Sequence, residues 1–112
     1  MFMKKVSKRQ SKINNELKKV YKRMSETRGH YCTGCGRSNV PLSHSHIIPR
    51  SRRPDLVCDI NNITYHCVIG PDNSKGCHNI WESKERYKLL DYHKNMEYIL
   101  ENDIEYYYLI IE

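Results

Sequence analysis

Ile13, Leu17, Val20, Tyr21 and Met24 recur at spacings of three and four with Lys and Arg between them. That spacing predicts an amphipathic helix ending near Gly29, its apolar stripe packed and its basic face outside. From Gly29 to Gly76 the pattern breaks up. Gly, Pro, Ser, Asn, Cys and His dominate, and only short apolar runs such as "HII" and "NIT" are left to form strands. Helical spacing returns in "NIWESKERYKLL", residues 79–90, through Ile80, Trp81, Tyr87 and Leu90, and again in "KNMEYILEN" through Met96, Ile99 and Leu100. The final "IEYYYLIIE" is short, aromatic and β-branched, and fits either a strand or the apolar side of a last helix. No internal repeat or low-complexity linker is evident.

A length of 112 residues suits one modest domain, so any site must share its scaffold with the single core. Hydrophobic content of 38% against 29% charged leaves few residues for that core, which favours a covalent or metal staple. The longest apolar run, "YYYLII", is far too short for a membrane-spanning helix. "MFMKKVSKRQ" turns basic before any apolar run begins, unlike a signal peptide, and the five cysteines are an odd number. Both features point to a reduced, cytosolic setting. Charge is unevenly spread: residues 1–28 hold ten Lys or Arg against two acids, whereas residues 89–112 hold one Lys against six. A cationic front suits a polyanion such as nucleic acid, because neutralised phosphates release condensed counterions. In sequence a solvated helix face looks the same.

Cys32 and Cys35 form a C-x-x-C in "YCTGCGRS", where glycines 34 and 36 let the backbone curl until both sulfurs point at one ion. Cys67 and Cys77, with nine residues between them, can supply the other half of a tetrahedral site through the loop "VIGPDNSKG". The expected ligand set for a structural Zn²⁺ is therefore Cys32, Cys35, Cys67 and Cys77. A redox role for the first pair competes with it. Cys58 is left over, and a packed free thiol accounts for it.

After the C-x-x-C come "LSHSHIIPRS", "NNITYHC" and "GCHNIWES", in that order, and together they resemble the HNH endonucleases over roughly residues 31–83. The resemblance implies an α+β fold with a ββα-metal, treble-clef-like core, a β-hairpin followed by a helix around one divalent ion. A four-cysteine zinc site would staple it, and N- and C-terminal helices would flank it. The expected organisation is one domain, 1–112, with a basic helix over 1–28, the zinc and HNH core over 29–88 and an acidic helical tail over 89–112. Compact free-standing HNH proteins of this "HSHII" flavour resemble those encoded by phages and bacteria. That implies a bacterial or phage-encoded cytoplasmic protein, with DNA and phage packaging proteins as candidate partners.

By the same resemblance His46 is the general base, Asn62 the central asparagine and His78 a ligand of the catalytic cation, Mg²⁺ or another divalent ion. Each residue type has a physical reason. Imidazole titrates near 6.5, so a neutral histidine can take a proton from water attacking a phosphodiester at neutral pH. An asparagine carries both donor and acceptor and can pin the facing backbone. Singly, a histidine is more often a hydrogen-bonded surface group, and Asn61 and Asn62 would fit a capped turn. One position departs from the family pattern: Ser45 stands where relatives often carry an Asp or His ligand. His44, if the strand bulges, or Glu82, one helical turn after His78, are the candidates to replace it. Arg50, Arg52 and Arg53 are expected to meet phosphate, since guanidinium forks suit its oxygens. Two other readings remain open: a zinc-stapled nucleic-acid-binding module that cuts nothing, and an accessory protein of phage packaging.

Overall fold

The computed structural model describes residues 7–111. Helix α1 spans Lys8–Thr27, and the Ser7 hydroxyl opens it by accepting from the Gln10 N–H at 3.1 Å. Its stripe lies as the spacing predicts: Ile13, Leu17, Val20 and Tyr21 are half-buried and Met24 is fully buried, while the lysines between them are exposed. The helix stops at Arg28, which turns extended just before Gly29. Residues 1–6 of the expected basic segment lie outside the described residues.

Strands β1, Leu42–His46, and β2, Ile63–Cys67, form an antiparallel hairpin with an unbroken register from Leu42 opposite Cys67 to His46 opposite Ile63. The strand expected at "HII" thus lies earlier in the chain, and Ile47 and Ile48 leave the sheet to enter the core. Alternation gives the hairpin two faces. On one, Ile63 and Tyr65 pack with Met24 and with Leu17, Val20 and Tyr21 of α1. Arg28 fastens this contact by donating to the carbonyls of Ile63 and Ile60, at 2.6 and 2.8 Å. The other face carries Ser43, Ser45, Thr64 and His66 toward the remaining helices.

Helix α2 is short, Cys77–Trp81, and residues 79–90 are not the single helix expected. Its last carbonyls are captured early. Ser83 donates to the Ile80 carbonyl at 2.7 Å, and Arg86 folds back to the Trp81 carbonyl at 2.9 Å. Tyr87 and Leu90 consequently point into solvent. Helix α3 spans Tyr92–Asn102, and the ambiguous final run is a helix, α4, Ile104–Ile110. Asp103 makes the break between them, its carboxylate accepting the Tyr106 N–H at 3.1 Å. The second core gathers Ile47, Ile48, Trp81, Leu89, Met96 and Ile99 against the buried cysteines. Among the described residues this is an α+β fold of four α-helices and one two-stranded sheet, and no helix is long and apolar enough to cross a membrane.

Candidate functional site

Four sulfurs meet where the C-x-x-C turn, the end of β2 and the start of α2 converge. The ligand atoms of Cys32, Cys35, Cys67 and Cys77 all lie within 4.8 Å of one another, forming a cluster that could hold a metal ion. The fit is tetrahedral in scale: Zn–S bonds of roughly 2.3 Å require sulfurs roughly 3.8 Å apart, and Cys35 and Cys67 are separated by 3.9 Å. Gly34 is required by proximity, since a Cβ there would come within 2.9 Å of the Cys77 sulfur. Gly36 supplies the turn itself, with φ +81.

Backbone N–H groups of Cys67 and Cys77 donate to the sulfurs of Cys32 and Cys67, each at 3.2 Å. Arg37 reaches the sulfurs of Cys35 and Cys67 at 3.5 and 3.3 Å. Burial alone pushes the Cys35 thiol up, but the Arg37 hydrogen bonds prevail and bring it down to about 7. Burial pushes the Cys77 thiol up, and the crowding sulfurs of Cys32 and Cys67 add to it. A divalent cation reverses that cost, because a coordinated thiol gives up its proton outright. Cys58 takes no part. It is half-buried, its sulfur 3.9 Å from the Ile13 carbonyl.

Beside α2 lies a cleft of about 420 Å³. His44 and His46 of β1, Arg50, His78, Glu82 and Arg86 are among the residues that line it. His46 ends β1, and its Nε2 donates to the Val57 carbonyl at 2.9 Å. A carbonyl only accepts, so the proton sits on Nε2 and the free lone pair is on Nδ1. Asn62 is completely buried. Its Oδ1 accepts the Ile48 N–H at 2.7 Å, while Nδ2 donates to the carbonyls of Ile48 and Leu56 at 3.2 and 3.1 Å. It thereby pins the two residues after His46 to the chain that leads into β2. The neighbouring Asn61 is exposed, and the short turn before β2 is capped by Asp59 instead.

His78 lies in the first turn of α2, directly after Cys77. Its Nδ1 is 2.6 Å from the Ser45 hydroxyl, so Ser45, and not a strand bulge at His44, meets it. The pairing of β1 is regular through Ser45, and His44 stacks on Tyr21 of α1 with ring centroids 3.7 Å apart. Burial, then the proximity of His46 and His30, pushes the His44 imidazole down from its ordinary value. Glu82 lies one turn after His78, exposed at the cleft. Among the described residues the four-cysteine cluster is the one group of three or more ligand atoms drawn together. His78 and Glu82 line the cleft together with His44 and His46.

The arginines divide in a way the sequence does not reveal. Arg50 is exposed at the cleft and donates to Gln10 of α1 at 2.7 Å. Arg52 instead grips the Asp103 carboxylate through two bonds, 3.0 and 3.2 Å, and lies over the Tyr106 ring. Arg53 binds Asp55 at 2.9 and 2.8 Å and the Asn102 carbonyl at 2.6 Å. Both reach the C-terminal helices, Arg52 through Asp103 and Arg53 through the Asn102 carbonyl. Arg86 takes a place at the cleft that sequence reading did not give it.

A buried polar group also went unread. His66 meets the Asp91 carboxylate at 2.8 Å, and the Thr33 hydroxyl donates to the same oxygen at 2.6 Å. Burial pushes the Asp91 carboxyl up, but His66 and Thr33 together hold it below the usual range. Its one sequence signal is the histidine beside Cys67, because its partner lies 25 residues away. Compared with known protein families, curated proteins and solved structures, the chain has no match.

Proposed function

We propose that this chain is a metal-dependent endonuclease of the HNH type, hydrolysing phosphodiester bonds in DNA, with a ββα-metal core formed by the hairpin and α2. The observation that carries this reading is the pair of imidazoles on one cleft: His46 with its Nδ1 lone pair unengaged, and His78 with Nδ1 held and Nε2 unbonded. His46 accepts a proton from the attacking water. Asn62 keeps its strand end in place through three side-chain bonds, two of them fully buried. Arg50 and Arg86 make the cleft cationic against one carboxylate, which suits a phosphodiester. The exposed Lys and Arg residues of α1 extend that charge along about 30 Å of helix. A divalent cation held by His78 and Glu82 would offset charge on the phosphate and the leaving oxygen. A Zn²⁺ bound by the four cysteines is a scaffold and stands outside the chemistry.

The test is plasmid nicking with Mg²⁺, Mn²⁺ or Ni²⁺. His46→Ala is expected to abolish it while fold and zinc content stay intact, and undiminished cleavage by that variant rules the reading out. A second reading, a zinc-stapled DNA-binding module without activity, is favoured by Ser45 standing at the ligand position with its hydroxyl engaged by His78. It requires salt-sensitive DNA binding and no nicking with any of the three cations.

A further inference from the structure

We infer that Ser45 is a positioning residue for His78, turning Nε2 toward the cleft, and that the site so built takes an imidazole-preferring transition ion such as Ni²⁺ while holding Mg²⁺ poorly. This rests on reading the cleft as the nuclease centre. Ser45 is 1% exposed, and the 2.6 Å contact is the one side-chain hydrogen bond of either residue among the described residues. Both ends of the contact are fixed by backbone. Ser45 sits opposite Thr64 in the regular ladder, and His78 follows a cysteine of the four-sulfur cluster at the start of α2.

A metal-bound imidazole donates its other N–H to an outer partner, and that partner sets both tautomer and ring angle. With the serine oxygen accepting from Nδ1–H, the lone pair left to the cleft belongs to Nε2. The same contact decides the class of ion. An Asp at position 45 would bring a charged oxygen, whereas the serine hydroxyl brings none and is already engaged. Glu82 is the one carboxylate lining the cleft, and Arg50 and Arg86 line it with their positive charge. Mg²⁺ is held chiefly through carboxylate and phosphate oxygens and gives up water reluctantly. Imidazole suits Ni²⁺, Zn²⁺ and Cu²⁺, and His44 lines the same cleft as His78.

The experiment is isothermal titration of the zinc-loaded full chain with NiCl₂ and, separately, MgCl₂. It compares the native protein with Ser45→Ala, Ser45→Thr, Ser45→Asp and His78→Ala, with zinc content and circular dichroism checked for each. Two-bond ¹⁵N–¹H spectra of His78, recorded without added cation, report the tautomer. The native chain is expected to show saturable Ni²⁺ binding, no saturable Mg²⁺ binding and the Nδ1–H tautomer. Ser45→Ala should weaken Ni²⁺ by about ten- to a hundredfold and mix the tautomers. Ser45→Thr should restore both, and Ser45→Asp should gain Mg²⁺ binding.

Native-like Ni²⁺ affinity in Ser45→Ala, Ni²⁺ binding that survives His78→Ala, or saturable Mg²⁺ binding by the native chain would overturn the inference. The native tautomer and the Ni²⁺–Mg²⁺ contrast decide it even if the alanine variant does not fold. The two readings fail separately. Native Ni²⁺ binding with no plasmid nicking removes the nuclease and leaves Ser45 its role, while His46-dependent nicking indifferent to Ser45 does the reverse.

Discussion

Removing the Asn62 side chain tests how the strand end carrying His46 is held. In Asn62→Ala the Ile48 N–H and the Ile48 carbonyl lose the partner they have at 2.7 and 3.2 Å, while the Leu56 carbonyl loses a bond of 3.1 Å but still accepts the Asp59 N–H at 3.1 Å. The site is fully buried, so water does not replace those bonds without opening the structure. Each unsatisfied buried group costs roughly 1–3 kcal/mol. Because the two groups belong to one residue and relax together, a total of roughly 3–5 kcal/mol is expected. Against a stability of about 5–15 kcal/mol for a domain of this kind, that is a large fraction. It corresponds to a fall in Tm of roughly 12–20 °C at about 4 °C per kcal/mol.

Asn62→Asp keeps the acceptor for Ile48 but turns a second oxygen toward two carbonyls, so at neutral pH it should be no more stable than the alanine variant. The assay is urea unfolding with zinc saturating, followed by circular dichroism and by the fluorescence of Trp81, the single tryptophan. That indole is itself tied to this segment, donating to the Ile47 carbonyl at 3.1 Å. A loss below about 1 kcal/mol in Asn62→Ala would mean the three bonds carry no net stability and that the His46 backbone is fixed by other contacts.

Zinc analysis should find about one ion per chain, and chelation or Cys77→Ala should abolish the helical dichroism. Structural zinc binding is worth roughly 10–16 kcal/mol, which exceeds the stability of a typical domain; metal-free protein with a native spectrum refutes this. Arg52→Ala should raise the Asp103 carboxyl, now held below the usual range first by its hydrogen bonds to Arg52, then by the Tyr106 N–H and the charges of Arg52 and Arg53. A depressed folded-state value means the stabilisation is complete above the ordinary carboxylate range near 3.9 and is lost as pH falls through the depressed one. In the variant that acid loss should shrink, and an unmoved Asp103 midpoint in a carbon-detected NMR titration would contradict it.

How much was legible in the chain follows the range of each interaction. The α1 stripe depends on neighbours three and four residues apart, and Met24, Val20 and Leu17 lie on the packed side as their spacing requires. The set of four cysteines was equally readable, because thiols have few other reasons to occur as a C-x-x-C beside a second pair, and the four sulfurs do gather. Residues 79–90 misled because Tyr87 and Leu90 keep helical spacing with Ile80, while the side chains of Ser83 and Arg86 take the carbonyls a longer helix needs.

By itself, then, the sequence determined the amphipathic first helix, the four thiols that could hold a metal and the residues from which a cleft could be made. All of these follow from residue type and local spacing. Tertiary structure alone decided how they meet. Asp103 met Arg52 across 51 residues, and Ser45 met His78 across 33. A carbonyl at Val57 chose which nitrogen of His46 is free. Such pairings rest on charge and hydrogen-bond geometry between segments remote in the chain, and no period or motif within one segment carries them.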